Sequence, residues 1–467
     1  MPGTLTNTLE REPSTGIDIL VVGGGIGGLT FAIEAYRKGH DVRVLERNKE
    51  HEHGGEPIMV LQSALQTPKK WPGFMERARA LATSQVFETR LYDGAILKKQ
   101  EVGDKNDPSL AIYRKKLQKL MYEYSQELGI PITYEQKVVE YFESDSDTAG
   151  VVLADGSKQT ADLVVAADGV GSRSRIIVDG FRDAPPISSG FILYRASYPN
   201  TEIMKDPMVA NEFEAYTSKT VFFHGPGAHI FVNRDRDLMC WLLTCKDDNP
   251  TTTESWSKPT SISRALAMTE GWHPLVHKVI NATPGGTAYD WKLMWRDPQP
   301  SWISRFGRVV QIGDAAHPFL PTSISGGTMA MEDGYSLATC LALAGGKTNV
   351  GLATRVHNKL RFERVSCAQK LGFKNREIIH AEAPSEPAKP RQAGLNKVVG
   401  DWIPFHDPEK YANTQFAACK ASIDGSSKDE FKNTNAVPGY TYKPWSVREM
   451  LEIADKGETI QDEGEWW

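Results

Sequence analysis

At 467 residues, 40% apolar and 24% charged, the chain has the length for two or three domains and a globular composition, which excludes a disordered or fibrous protein. Its net charge of −5 lacks the basic excess of a nucleic-acid-binding surface, so no nucleic-acid partner is expected. Five scattered cysteines (Cys240, Cys245, Cys340, Cys367 and Cys419) suit neither zinc nor a disulfide framework, and no apolar run reaches about 18–20 residues, so a cytoplasmic protein without a membrane segment is expected.

Residues 1–16 read as a polar, flexible lead-in. The stretch "GIDILVVGGGIGGLTFAIEAYRKGHDVRVLERN" then predicts a buried strand, a helix ended by Gly39 and a second strand closing on Glu46. Gly23, Gly25 and Gly28 have G-x-G-x-x-G spacing. In such a unit the first glycine permits the tight turn, the second lets the backbone approach a pyrophosphate, and the third packs helix on strand. The helix start presents free N–H groups to the phosphates, and Glu46 is placed to accept hydrogen bonds from an adenosine ribose. Either NAD or FAD fits this unit.

Arg114 opens a predicted helix over 114–129, with Leu117, Leu120, Met121, Tyr124 and Leu128 at helical spacing. Three strand-like segments follow, the last being "ADLVVAADGVGSRSR" with Asp168-Gly169 at its end. "GFILYRASYP", "TVFFHG", "AHIFVNRD" and "LMCWLLTC" predict a second, sheet-rich domain. After it, "GRVVQIGDAAHPFLP" leads into a helix beginning at Gly326 and Gly327. The expected division is a discontinuous α/β, Rossmann-like domain over 17–180 and 300–345, and a β-sheet substrate domain over 181–299. A long helix over 346–380 and a C-terminal extension over 381–467, read as a helical tail, complete it.

"GGGIGG", "AADGVGSRSR" and "GRVVQIGDAAHPFLP" occur in the order and at the approximate spacings of the class A flavoprotein monooxygenases. Over residues 17 to 380 the chain resembles this family, whose fold is that of p-hydroxybenzoate hydroxylase. The resemblance implies FAD as cofactor, NADPH or NADH as a transient co-substrate, and O2. It assigns Asp314 to the ribityl–pyrophosphate region, Arg114 to the flavin side, and Asp168 and Gly55 to the matching cofactor positions. It also sets the helix start at Gly326 and Gly327 against the flavin's N1–C2=O edge, where fixed N–H donors stabilise negative charge. Ile324, Ser325, Thr328 and Met329 depart from the family's G-Q-G-A-N-Q-A-x-E-D pattern, while Gly326, Glu332 and Asp333 match it. His317 is given no role.

No second dinucleotide fingerprint is present, which fits a nicotinamide co-substrate that visits without a domain of its own. In the sheet domain, Arg195 lies where several fungal relatives place an active-site arginine, and is the catalytic candidate; its other reading is a surface arginine on an edge strand. Where phenol hydroxylases of the family carry a tyrosine, this chain has Val232-Asn233. The favoured reading is hydroxylation or epoxidation of an electron-rich polycyclic natural product, with an indole alkaloid (C2–C3 epoxidation, with or without rearrangement to a spiro-oxindole) preferred. A phenol or salicylate hydroxylase, a prenyl-chain epoxidase and a non-catalytic flavin-binding redox protein stay open, as does the oligomeric state.

Overall fold

The computed structural model describes residues 9–49, 57–83, 86–102, 108–144, 147–178, 186–247, 258–380 and 399–467. A five-stranded parallel sheet runs in the order Val309–Gln311, Leu163–Ala166, Asp18–Val22, Asp41–Leu45, Ile132–Thr133. Parallel strands must be covered on both faces, and the central strand "DILVV" shows how. Ile19 and Val21 pack under helices that include Ile26–Arg37 and Gly326–Ala344. Leu20 and Val22 face the other way, into a three-stranded antiparallel layer through Tyr141 and Val151. The two long-separated helices meet through small residues: a Cβ on Gly334 would lie 2.9 Å from the Phe31 amide nitrogen.

The second sheet has eight strands, ordered Lys258–Ser261, Thr287–Trp295, Ile187–Pro199, Leu238–Lys246, Ala228–Asp235, Ser218–Gly225, Val86–Leu91, Ile96–Glu101. Its last two strands come from the N-terminal part of the chain, and Val86–Leu91 joins in parallel to Ser218–Gly225. One face carries Tyr194, Val221, Ile230 and Trp241 in a core shared with the helix Pro274–Asn281. Strand alternation sends Arg195, Phe222, Phe231 and Leu242 to the opposite face. Further along that face, Leu193 and Leu293 pack with Leu320 and with Phe373 of the helix Val350–Ile379.

Among its described residues the C-terminal extension contains two helices, Pro408–Ile423 and Val447–Asp455, and these residues are bound into the body of the protein. Arg364 donates to the carbonyls of Trp402, Ile403 and Asn435. Glu409 lies among Arg37, Lys38 and Lys70, joining the Pro408–Ile423 helix to the first helix of the chain.

Candidate functional site

Three glycines of the first turn are required for different reasons. Gly23 has a φ of +109°, and a Cβ there would lie 2.4 Å from the Ala167 carbonyl oxygen. A Cβ on Gly28 would lie 2.0 Å from the Gly23 carbonyl oxygen, so helix and turn admit nothing larger. On Gly25 a Cβ would meet no atom within 4 Å. That glycine caps the helix Ile26–Arg37 without a side-chain cap, leaving first-turn N–H groups beside open space. Glu46 stands at the same turn: its Oε2 accepts from the Gly24 N–H (2.8 Å) and its Oε1 from the Asn48 N–H (2.9 Å).

The second glycine stretch is brought against the first. Ala330, on the helix Gly326–Ala344, lies 3.4 Å from where a Cβ of Gly27 would sit and 3.1 Å from that of Gly313. Gly313, with φ +56°, donates its N–H to Asp333 Oδ2 at 3.0 Å. The next residue, Asp314, is open to solvent at its side chain yet ringed by protein, as a residue lining a recess would be. Desolvation raises its carboxyl above the usual range, against the opposing charges of Arg114 and His317. Arg114, exposed, begins its helix within electrostatic reach of Asp314.

Asp168 is placed differently. It accepts from Tyr141 Oη at 2.8 Å, and burial raises its carboxyl. Gly326 and Gly327 start the long helix, where a Cβ would come to 3.0 Å from Phe319 Cβ and 3.5 Å from Ile58 Cδ1. Ser325, before them, offers no side-chain cap, so this helix start also keeps unpaired donors. Gly55 lies outside the described residues.

Arg195 is not on an edge strand. Its strand is paired on both sides, opposite Leu242 and Tyr289, and the side chain is half-buried on the face that also holds Phe222 and Phe231. Those two rings stack with centroids 4.4 Å apart. Burial lowers the Arg195 pKa, against the opposing influence of Cys240 and Tyr289. Asn233, near where phenol hydroxylases of the family carry a tyrosine, accepts from Tyr113 Oη (3.0 Å) and donates to Thr220 Oγ1 (2.9 Å).

A family profile described as "FAD binding domain" matches residues 16–355. The chain belongs to this family. It is 36% identical to the FAD-dependent monooxygenase mdpD of Emericella nidulans (strain FGSC A4), across 98% of this chain and 92% of that one. To the FAD-dependent monooxygenase dmxR9 of Cryptosporiopsis sp. (strain 8999) it is 35% identical, across 99% and 93%. Among solved structures, FqzB superposes with a TM-score of 0.82 at 29% identity, covering 92% of this chain and 99% of that one. CtdE in complex with FAD and substrate 4 gives 0.80 at 28%, covering 87% and 100%. The protein is an FAD-dependent monooxygenase of the class found in fungal secondary metabolism.

The residues present fit FAD: an open cradle at Gly25, a solvent-lined Asp314 and two uncapped helix starts converge on one side of the parallel sheet. The monooxygenase also holds a buried network to which sequence reading gave no role. Glu332 is paired with Arg361 and Arg364, and Asp333 with Arg361 and His317. Burial works to raise both carboxyls, but Arg364 and Arg361 at Glu332, and His317 and Arg361 at Asp333, outweigh it and hold both well below the usual carboxylate range. Through Asp333 this network fixes the Gly313 N–H. The sequence signal was the Glu332-Asp333 match itself, together with two arginines three residues apart on the next helix.

Two hollows flank the eight-stranded sheet. An open one of about 690 Å³ lies beside the helix Pro274–Asn281, on the covered face and away from the glycine turns. A much smaller one of about 10 Å³, room for roughly one water molecule, lies on the Arg195 face, between the sheet and the loop Leu320–Thr322 that leads from Asp314 to Gly326.

Proposed function

We propose that this FAD-dependent monooxygenase uses NADPH or NADH and O2 to hydroxylate or epoxidise an electron-rich polycyclic aromatic natural product. The observation that carries the reading is the sheet face opposite the glycine turns, where Arg195 lies in one row with Leu242, Phe231 and Phe222. An apolar, aromatic wall bearing a fixed cation suits a flat, largely apolar substrate.

FAD, when bound, supplies the reductive activation of O2. Gly23, Gly25, Gly28 and Glu46 would hold its adenosine-diphosphate part; Asp314, Arg114, Gly326 and Gly327 would hold its flavin half, with Asp168 and Gly55 at the remaining family positions. Phe222, Phe231 and Leu242 exclude water from the substrate. Arg195 donates hydrogen bonds to the oxygen developing on the substrate. It acts as a fixed cation, since a guanidinium stays protonated throughout.

An indole alkaloid oxidised at C2–C3 is the favoured substrate, because Asn233 supplies no phenol-activating base and indole needs none. A relative in Petromyces alliaceus is named asperlicin C monooxygenase; it is 31% identical across 88% of this chain. Phenol hydroxylation is the second reading. All five cysteines are unpaired and buried, which supports a reducing compartment such as the cytoplasm.

The test is NADPH and NADH consumption by the FAD-loaded protein with prenylated indole alkaloids, phenols and terpenoid alkenes, products being followed by mass. Indole-stimulated turnover with a gain of one oxygen is expected. Nicotinamide oxidation without any oxygenated product across the panel would overturn the monooxygenase assignment of substrate class.

A further inference from the structure

The helix Arg114–Glu127 touches both the first glycine turn and the eight-stranded sheet, and it does so within its first two turns. Toward the glycine turn, Gln118 Nε2 donates to the Gly24 carbonyl at 2.7 Å, while Arg114 lies within electrostatic reach of Asp314. Residues four apart share one helix face, so Arg114 and Gln118 address the cofactor cradle together. Lys116, two residues on from Arg114, lies about 200° round the helix and so on its other side. Its Nζ reaches Asp235 Oδ2 of the sheet at 3.3 Å.

The residue before Arg114 makes a second tie to the sheet. Tyr113 caps the helix with its backbone in the extended region, and it is 5% exposed. Its Oη donates to Asn233 Oδ1 at 3.0 Å. Asn233 is fully buried, and its amide is held one way round: Nδ2 donates to Thr220 Oγ1 (2.9 Å) and to the Lys219 carbonyl (3.4 Å). With the amide hydrogens directed at the neighbouring strand, the amide oxygen is the atom turned to Tyr113. Burial raises the Tyr113 hydroxyl well above its usual range, so it stays a donor at every working pH.

The sheet therefore sets where this helix begins. Asn233 and Asp235 are alternate residues of one strand and face the same way as Phe231 of the aromatic row. They hold Tyr113 and Lys116, which flank Arg114 in the chain, and Lys116 Nζ also lies 4.9 Å over the Tyr113 ring. A long side chain delivers its charge to a fixed point only where packing and hydrogen bonds fix its own backbone.

We infer that Asn233 is a positioning residue for the cofactor: through Tyr113 it fixes the start of the helix that carries Arg114, and so sets Arg114 against the flavin half of FAD. The inference rests on the reading of Arg114 as the flavin-side arginine and extends it to two residues which that reading leaves unused. The sheet that bears Arg195 and the aromatic row thereby also places a cation of the cofactor site, which keeps substrate and flavin in register.

The test compares Y113F, N233L, the double variant and R114M as full-length proteins, by FAD dissociation constant and flavin midpoint potential. A cation beside the flavin favours its reduced form, so R114M is expected to lower the potential and to weaken FAD binding. Y113F and N233L should each lower the potential in part and bind FAD about tenfold more weakly; the double variant should fall no further than the weaker-binding single, because the same bond is lost. Y113F removes one oxygen, and the Tm of its FAD-free form is expected to drop by no more than a few degrees, which separates positioning from a general loss of structure. Y113F alone decides the matter if N233L does not fold. Unchanged potential and FAD affinity in Y113F, beside a lowered potential in R114M, overturns the inference, and so does an additive loss in the double variant. A potential unmoved by R114M would fell the flavin-side reading of Arg114, and the inference with it.

Discussion

Gly25 and Gly28 sit three residues apart, yet substitution at each reads out a different property. Gly25 faces open space, so Gly25→Ala is expected to leave the Tm of the FAD-free protein unchanged while weakening FAD retention by about tenfold or more, since only the pyrophosphate approach is blocked. Gly28→Ala forces a methyl against the Gly23 carbonyl and should lower the FAD-free Tm itself, since overpacking costs roughly 1–3 kcal/mol of stability. Absorbance ratio at the flavin and protein bands, paired with thermal unfolding, separates the two. Arg195→Met is expected to keep Tm and FAD content but reduce kcat/KM about 100-fold, the usual loss for one donor to a developing oxyanion. The strand–turn–helix geometry at the three glycines was legible because such a turn admits few residue types. The pairing of Asn233 with Tyr113 was not, because a strand asparagine names no partner until its neighbours are known.

Helix Gly326–Ala344 and helix Val350–Ile379 are joined by charges that neither element reveals alone. Removing one partner of a buried ion pair leaves the other uncompensated, so Arg364→Met is expected to cost about 3–5 kcal/mol, measured by denaturant unfolding. The same change severs the carbonyls of Trp402, Ile403 and Asn435, so residues 399–467 should become the first region cut in limited proteolysis. Just before helix Gly326–Ala344, Ile324 occupies the left-handed region with φ +59°, where the family pattern has glycine. A β-branched residue there is strained by about 1–2 kcal/mol. Ile324→Gly should therefore be tolerated, with FAD content unchanged and Tm no lower; a clear fall in Tm would show that the Ile324 side chain contributes more packing than its backbone costs. The departure at Ile324 was visible in the sequence, whereas the conformation that gives it meaning was not.

Across the whole molecule, burial gives the neutral histidines one shared pH dependence, against which the raised carboxyls of Asp168 and Asp314 work. Desolvation lowers His40 and His224 to about 4 and His229 and His357 to about 3, all from an ordinary value of 6.5. Each is neutral in the folded protein and takes up a proton on unfolding once the pH is below 6.5. The unfolded state therefore binds more protons, and stability falls as pH drops from 6.5 towards 4. Glu332 and Asp333 act in the same direction lower down, since their folded values lie below the ordinary 4.5 and 3.8 and their stabilisation is lost as pH falls through that range. Unfolding free energy is expected to decline already between pH 6.5 and 5, and His357→Gln should flatten that slope if it folds as the parent does.

Sequence by itself determined the α/β class, the cofactor family and the two glycine stretches. Those rest on local rules: apolar alternation, glycine at positions a Cβ cannot occupy, and an acidic residue at the end of the second strand. Tertiary structure alone decided that strands Val86–Leu91 and Ile96–Glu101 join the second sheet, that Arg195 faces an aromatic row from a central strand, and that the C-terminal extension is clamped by Arg364 and Glu409. It also decided that Asn233 of the sheet meets Tyr113 at the start of the Arg114 helix. Each of these depends on contacts between residues far apart in the chain, and the free energy of such a contact is set by burial and by the partner, neither of which a local pattern carries.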